Sequence, residues 1–184
     1  MTNKIYVSAN DYLRDSWRLA RQILDSGWEP EDLIALWRGG APVGVSVHEF
    51  LFYHGLRPRH RVLKCQSYTG IREHVHQVSF ENADAIFQSV VPGSRVLVID
   101  DVLDTGNTAR AVLERLAPLN ADVRLATVYW KPNQNQTDIK PDFYVQLTDD
   151  WIVFPHEMDG LTPEEVRLKD PAIYDLLDLA RLSS

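Results

Sequence analysis

Residues 95–109, RVLVIDDVLDTGNTA, join an apolar run to a pair of carboxylates and then to a short turn rich in hydroxyl and amide groups. Arg95 to Ile99 do not alternate as a half-exposed strand would, so the run reads as a buried parallel strand with Asp100 and Asp101 at its carboxyl end. In open α/β sheets, ligands bind at that end. Asp104, Thr105, Gly106, Asn107 and Thr108 then open a helix that continues through Ala109, Val112, Leu113 and Leu116 and stops near Pro118. Free amides at a helix start favour an anion. Two carboxylates suit vicinal hydroxyls or Mg2+, while Thr105, Thr108 and the amides suit a phosphate.

Two plainer readings compete. Asp104 or Thr105 as a simple N-cap explains one side chain and leaves the paired carboxylates without a role. A strand ending in Asp-Asp also resembles the metal-binding strand of a P-loop NTPase, which requires a Walker A loop. The nearest candidate, GGAPVGVS at 39–46, places Val45 where the phosphate-binding lysine must stand, so that reading is set aside.

Three further segments repeat the pattern of a strand leading into a polar turn. LIALWRGGAPVG, 33–44, is a short apolar strand, a glycine turn and the start of a helix expected to reach about His54. Gly39 and Gly40 allow close backbone approach to a ligand or positive φ. RVLKCQSY, 61–68, reads as another strand, and it runs into TGIREHVHQVSFEN, which lacks a clear period and reads as a lid candidate. DVRLATVYW, 122–130, is a strand ending in Lys131-Pro132, followed by a polar connection, by Phe143 to Leu147, and by DDWIVFP. Taken alone, a lysine at a strand end is usually solvated and an aromatic cluster is usually core.

The rest of the chain bounds the answer. With 184 residues, 45% of them apolar, it can bury a core as one domain. The amino terminus carries charges throughout and no apolar run, so it reads as neither signal peptide nor membrane span. Tyr12, Leu13, Trp17, Ala20, Ile23 and Leu24 recur at helical spacing, with Gly27 as the stop. A single cysteine, Cys65, excludes an internal disulfide and fits a reducing cytoplasm. His74 and His76 with Cys65 lack the second Cys-rich spacing of a zinc set. The formal charge of -7 provides no global attraction for nucleic acid or anionic membrane. A local basic run, Arg57, Arg59, His60, Arg61 and Lys64, suits either a phosphorylated substrate or a solvated connection. Near the carboxyl end, TPEEV marks a helix start with Thr162 as cap, and Ile173 to Leu182 reads as a second helix.

Residues 95–109 resemble the phosphoribosyl diphosphate (PRPP) signature of type I phosphoribosyltransferases. The similarity extends from about Leu33 to Glu157, in the element order of the purine branch, the xanthine-guanine and hypoxanthine enzymes. The resemblance implies a mainly parallel α/β sheet flanked by helices, with a small hood formed by segments around 131–157, to which the amino terminus is a candidate addition, and a helical tail over 161–184. It implies that Asp100 and Asp101 hold the ribose hydroxyls and the Mg2+ environment, and that Asp104, Thr105, Gly106, Asn107 and Thr108 wrap the 5′-phosphate. Arg38, Gly39 and Gly40 would hold the diphosphate, with an unusual cis peptide expected at Trp37-Arg38. Ser67 and Tyr68 match a mobile catalytic loop. Lys131 matches the donor to the purine 6-oxo group, Trp151 the stacking aromatic and Ile152 the residue whose main chain reads the base edge, with Phe154 extending the apolar wall. Asp104 is then the acceptor of the N7 proton.

The implied function is transfer of phosphoribose from PRPP to a 6-oxopurine, in a cytoplasmic homodimer or homotetramer. Which of xanthine, guanine or hypoxanthine is preferred stays open, as does the role of His156. A PRPP-sensing regulator on the same fold, and an enzyme for another base such as orotate, are the competing implications. Arg38, Asp104, Lys131 and Trp151 together favour the enzyme, and Lys131 and Trp151 fit a pyrimidine poorly.

Overall fold

A computed structural model describes residues 3–69, 76–81 and 83–178, with side chains described outside 66–77. In chain order the elements are β1 (Lys4–Tyr6), α1 (Ala9–Asp25), β2 (Asp32–Trp37), α2 (Gly40–Tyr53), β3 (Arg59–Thr69), β4 (His76–Glu81), α3 (Ala83–Gln88), β5 (Arg95–Leu103), α4 (Asn107–Leu116), β6 (Asp122–Trp130), β7 (Phe143–Leu147), β8 (Trp151–Val153), α5 (Pro163–Lys169) and α6 (Pro171–Tyr174). They form two compact units, Leu13–Asp149 and a smaller one made of Met1–Tyr12 with Asp150–Ser184.

The larger unit is built on a six-stranded sheet of order β4-β3-β2-β5-β6-β7. All its neighbours are parallel except β3 and β4. The central strands are apolar on both faces because helices lie against them: Ile34, Leu36, Leu63, Val96, Val98 and Leu125 pack with Val112 and Leu116 of α4 and Phe87 of α3. Burial of such side chains contributes roughly 1.5–3 kcal/mol each. α1 starts where Ser8 accepts from the Asp11 amide, buries Leu19, Ala20 and Ile23, and stops at Gly27, whose φ of 69° suits glycine.

Asp32 explains much of the basic run. Its carboxylate is fully buried at the start of β2, and it accepts from both arms of Arg59 at 3.0 and 2.6 Å, from Arg61, and from the Ser94 hydroxyl at 3.1 Å. Arg61 also donates to the Ser89 hydroxyl and carbonyl. These two cations are therefore committed to tying β2 to β3, since a buried carboxylate needs such partners.

The smaller unit pairs β1 with β8 in parallel, matching Lys4 to Trp151, Ile5 to Ile152 and Tyr6 to Val153. Its interior gathers Tyr12, Ile152, Val153, Phe154 and Val166. Thr162 caps α5, as the TPEEV pattern predicts, and the structure adds a reciprocal box with Glu165.

Four boundaries differ from the sequence reading. β5 runs on to Leu103, so Asp100 and Asp101 lie within the strand, because β6 continues to pair as far as Leu103 with Trp130. Of the expected hood, residues 131–149 fall within the larger unit and 150–157 within the smaller one. Part of the expected lid segment, 76–81, is a strand paired with β3, whereas 70–75 lie outside the described residues. The second carboxyl-terminal helix starts earlier and spans one turn, because the Asp170 side chain caps the amides of Ala172 and Ile173; 179–184 lie outside the described residues.

Candidate active site

The candidate site forms where β2 and β5 part. Their pairing ends at Ala35 with Ile99, after which β2 turns into α2 while β5 continues along β6. One crossover leads from β2 to β3 and the other from β5 to β6, in opposite directions across the sheet, which opens a crevice at the switch point.

The glycine turn closes directly on the carboxylates. A Cβ on Gly39 would lie 2.0 Å from Asp101 Oδ2, and one on Gly40 would lie 2.4 Å from the Ile99 carbonyl oxygen and 2.9 Å from the Asp100 Cα. Only bare backbone fits there. The Trp37-Arg38 peptide is cis. The Arg38 side chain is exposed, next to the turn. Asp100 accepts from the Asp101 amide at 3.0 Å and from the Gly40 amide, while Asp101 accepts from the Val102 amide at 2.8 Å. Burial, then the adjacent Asp101 charge, push the Asp100 carboxyl well above the usual carboxylate range. Two crowded, partly desolvated carboxylates are a natural seat for a cation or for hydroxyl donors.

Beyond β5, Gly106 adopts φ 81° and caps α4. The Asn107 amide approaches the Thr105 hydroxyl at 3.4 Å, and the Arg110 amide closes the first turn on the Gly106 carbonyl at 2.9 Å. A cavity of about 80 Å³ lies here, lined by Asp100, Asp104, Thr105, Gly106 and Thr108, with the wholly buried Thr127 at its base.

Lys131 is the most informative placement. Its main chain bonds the Leu103 carbonyl at 2.9 Å, which sets it beside the end of β5. The residue is 7% exposed, and its ammonium lies 3.2 Å from Asp104 Oδ2. The lysine is not a solvated strand end. The expected base-reading cation and the expected proton acceptor are direct neighbours.

Ser67 and Tyr68 lie on β3 opposite Val78 and Gln77, and their side chains fall outside the described residues. In the smaller unit, Trp151 is 57% exposed at the edge of a hollow of about 460 Å³ that Lys4, Glu157, Asp159 and Leu161 also line. Ile152 is buried. Phe154, expected to extend the apolar wall, is 4% exposed, with Tyr12 edge-on at 5.5 Å and His156 stacked at 5.5 Å. His156 packs inward with it. Trp151 and Ile152 point to opposite faces of β8, which leaves Trp151 outward and Ile152 buried, while Phe154 follows the strand and packs inward.

One set of residues escaped the sequence reading. Asn135 and Thr137, in the polar connection after Lys131, press on Gly106: its missing Cβ would lie 2.7 Å from Asn135 Oδ1 and 2.4 Å from Thr137 Oγ1. Their Asn-x-Thr spacing is a turn signal that could have revealed an ordered loop. Among the described residues, no group of three or more His, Cys, Asp or Glu side chains is placed to hold a metal, and no helix is long and apolar enough to cross a membrane.

Comparison with known proteins agrees with this geometry. The family model for the phosphoribosyl transferase domain matches residues 6–160. A xanthine-guanine phosphoribosyltransferase from Idiomarina loihiensis is 29% identical over 84% of this chain and 88% of its own length. The crystal structure of a purine phosphoribosyltransferase from Pyrococcus horikoshii superposes with a TM-score of 0.67 at 28% identity, covering 86% of this chain and 97% of that one. A Neisseria gonorrhoeae protein solved with bound ppGpp shares the fold at TM-score 0.76 and 24% identity, covering 94% of this chain and 98% of that one. With the family model spanning most of its length and the carboxylate strand, glycine turn and following loop assembled at one crevice, the chain belongs to the phosphoribosyltransferase family.

Proposed function

We propose that this protein transfers the 5-phosphoribosyl group of PRPP to N9 of a 6-oxopurine, releases diphosphate, and serves purine salvage in the cytoplasm as a homodimer or homotetramer. The observation that carries the reading is the Asp104–Lys131 pair at 3.2 Å beside the Thr105–Thr108 loop. On a 6-oxopurine, an N7 proton lies next to the 6-oxo acceptor. A carboxylate next to an ammonium is complementary to that edge, whereas the 6-amino group of adenine would meet a second donor.

In this reading the Asp104–Thr108 loop and the start of α4 bind the 5′-phosphate, and Asp100 and Asp101 bind the ribose hydroxyls. Arg38 and the Gly39-Gly40 turn hold the diphosphate. The bond from the anomeric carbon to diphosphate oxygen breaks, the bond to purine N9 forms, and Asp104 takes the proton from N7. Lys131 stabilises charge on the 6-oxo group. Trp151 supplies a stacking face, Ile152 its main chain, and Ser67 and Tyr68 a covering segment that excludes water. Positioning and charge placement carry most of the rate.

The donor set suits Mg2+. Asp100 and Asp101, the first raised by burial and then by the charge of the second, are the adjacent carboxylates that would hold the ion. When bound, the ion neutralises charge on the leaving group.

The test is turnover with PRPP and Mg2+ against xanthine, guanine, hypoxanthine, adenine and orotate, with products identified by mass. Nucleotide formation confined to 6-oxopurines is the expected result. PRPP binding without turnover on any base would turn the protein into a PRPP-sensing regulator.

A further inference from the structure

We propose that Asn135 and Thr137 are positioning residues for the phosphate loop, and that they set affinity for PRPP by fixing the direction in which the Gly106 amide points. The inference rests on the assignment of residues 104–108 to the 5′-phosphate.

The segment after Lys131 is a small, fully knitted plug. Thr137 donates to Asn135 Oδ1 twice, through its amide and its hydroxyl, both at 2.8 Å. The Ile139 amide donates to Thr137 Oγ1 at 3.1 Å, and Asn135 Nδ2 donates to the Ile139 carbonyl at 2.7 Å. Both side chains thus have their donors and acceptors engaged within five residues, so the plug has one shape rather than several. It is anchored outside itself as well: Asn133 binds Asp149 through its amide at 3.2 Å and its side chain at 2.5 Å.

The plug meets the loop at two points. The Gln136 amide donates to the Thr105 carbonyl at 3.0 Å. Asn135 Oδ1 and Thr137 Oγ1 lie against the bare Cα of Gly106, where a Cβ would come within 2.4 Å of the hydroxyl. The peptide between Thr105 and Gly106 is planar and trans, so its carbonyl and its N–H point to opposite sides. Holding that carbonyl on Gln136 aims the Gly106 N–H at the other face of the loop, the face assigned to the phosphate. The packing on Cα then prevents the peptide from flipping, a motion that glycine at φ 81° would otherwise permit. A flipped peptide would present a carbonyl oxygen to the phosphate in place of a donor.

Neither residue touches the phosphate or the base in this arrangement, so the effect should be confined to PRPP. Calorimetric titration of the full chain with PRPP and Mg2+ provides the test, beside melting temperature and the KM for the purine. Thr137→Val keeps the shape but removes the hydroxyl that serves Ile139 and Asn135. It is expected to weaken PRPP binding roughly tenfold, about what the loss of two modest hydrogen bonds implies. The purine KM and the melting temperature should stay near wild type, and Thr137→Ser should restore PRPP affinity. Asn135→Ala, which cuts the other half of the network, should weaken PRPP at least as much. Unchanged PRPP affinity in Thr137→Val and Asn135→Ala would overturn the inference while leaving the proposed reaction intact. A parallel loss of PRPP affinity, purine affinity and melting temperature, not rescued by serine, would overturn it as general destabilisation. Absence of PRPP binding by the wild-type protein would instead remove the reading on which it rests.

Discussion

The two units of this protein handle ligand-facing groups in opposite ways. In the larger one, several groups at the crevice are packed closely against their neighbours. Gly39 and Gly40 close on Asp101 and Asp100, Gly106 closes on Thr137, and Lys131 is buried against Asp104. In the smaller one, Trp151 projects from a three-residue strand paired only with β1, with much of its ring in solvent. Reaction chemistry needs groups held to fractions of an ångström, and a wide sheet with close-packed turns provides that; stacking on a flat ring tolerates more freedom. Substitutions in the first region should therefore act on rate, PRPP and the choice between bases, and those in the second on the strength of base stacking or on local stability.

The largest expected effect separates chemistry from binding inside the larger unit. Asp104→Asn keeps the shape of the loop but removes the proton acceptor, so kcat should fall by about 10² to 10⁴ while PRPP affinity stays within about threefold of wild type. Equal losses in both would reassign Asp104 to the architecture of the loop. Rapid-quench kinetics and calorimetry on the same preparation distinguish the two.

Two neighbouring aromatics probe the smaller unit. Phe154→Ala removes a ring packed on Tyr12 and His156 and should cost about 3–5 kcal/mol of stability in denaturant unfolding. Trp151→Ala removes an exposed ring, so the melting temperature should barely move. If Trp151 stacks on the base, the purine KM should rise by roughly tenfold, from a stacking contribution of about 1–3 kcal/mol. A large loss of stability in Trp151→Ala, with base affinity unchanged, would blur the contrast between the two residues.

Asp100 offers a test of how far function strains the site. Because its folded carboxyl titrates above the usual range, the folded state holds a proton that the unfolded state has already released. The native state then binds more protons than the unfolded one in the window from the ordinary aspartate value up to the raised one. Stability should fall as pH rises through that window. Asp100→Asn should abolish this dependence and raise the melting temperature at neutral pH, while impairing use of PRPP. A melting temperature lowered by the substitution at neutral pH would contradict the assignment of strain to this carboxylate.

The smallest effect concerns Cys65 on β3. Burial, with some help from the Asp100 charge, pushes its thiol up to about 12, so the thiolate that reacts is scarce. Alkylation by iodoacetamide near pH 8 should be slow in the folded protein and rapid after unfolding. Equal rates in both states would show the thiol to be exposed and ordinary.

Much of the larger unit was legible because its signals are local. The apolar run at 95–99, the Asp-Asp pair and the helix start at 107 follow one another within a few residues, and strand, carboxylates and cap can be read in order. The Gly39-Gly40 turn was legible as a place of close approach, but not what it approaches, since Asp100 and Asp101 lie some sixty residues on. The partnership of Lys131 with Asp104 depends on β5 and β6 ending together, a matter of register that no local pattern encodes. The division of labour between Trp151 and Phe154 was hidden for a similar reason: both are aromatic, and only the packing of Phe154 on Tyr12 and His156 shows which one is buried. The plug at 135–137 was passed over because polar residues rich in Asn and Gln read as a loose connection until their mutual hydrogen bonds are seen.

The central claim is that Asp104 and Lys131 together read the N7 and 6-oxo edge of a purine. The most direct test is a competition in which equal hypoxanthine and adenine are offered with PRPP and Mg2+ to the wild-type protein and to Lys131→Gln, with the nucleotides resolved by mass. The account predicts inosine monophosphate almost exclusively from the wild type, and a marked loss of that preference in the variant. Comparable adenosine monophosphate from the wild type, or a preference that survives Lys131→Gln undiminished, would contradict it.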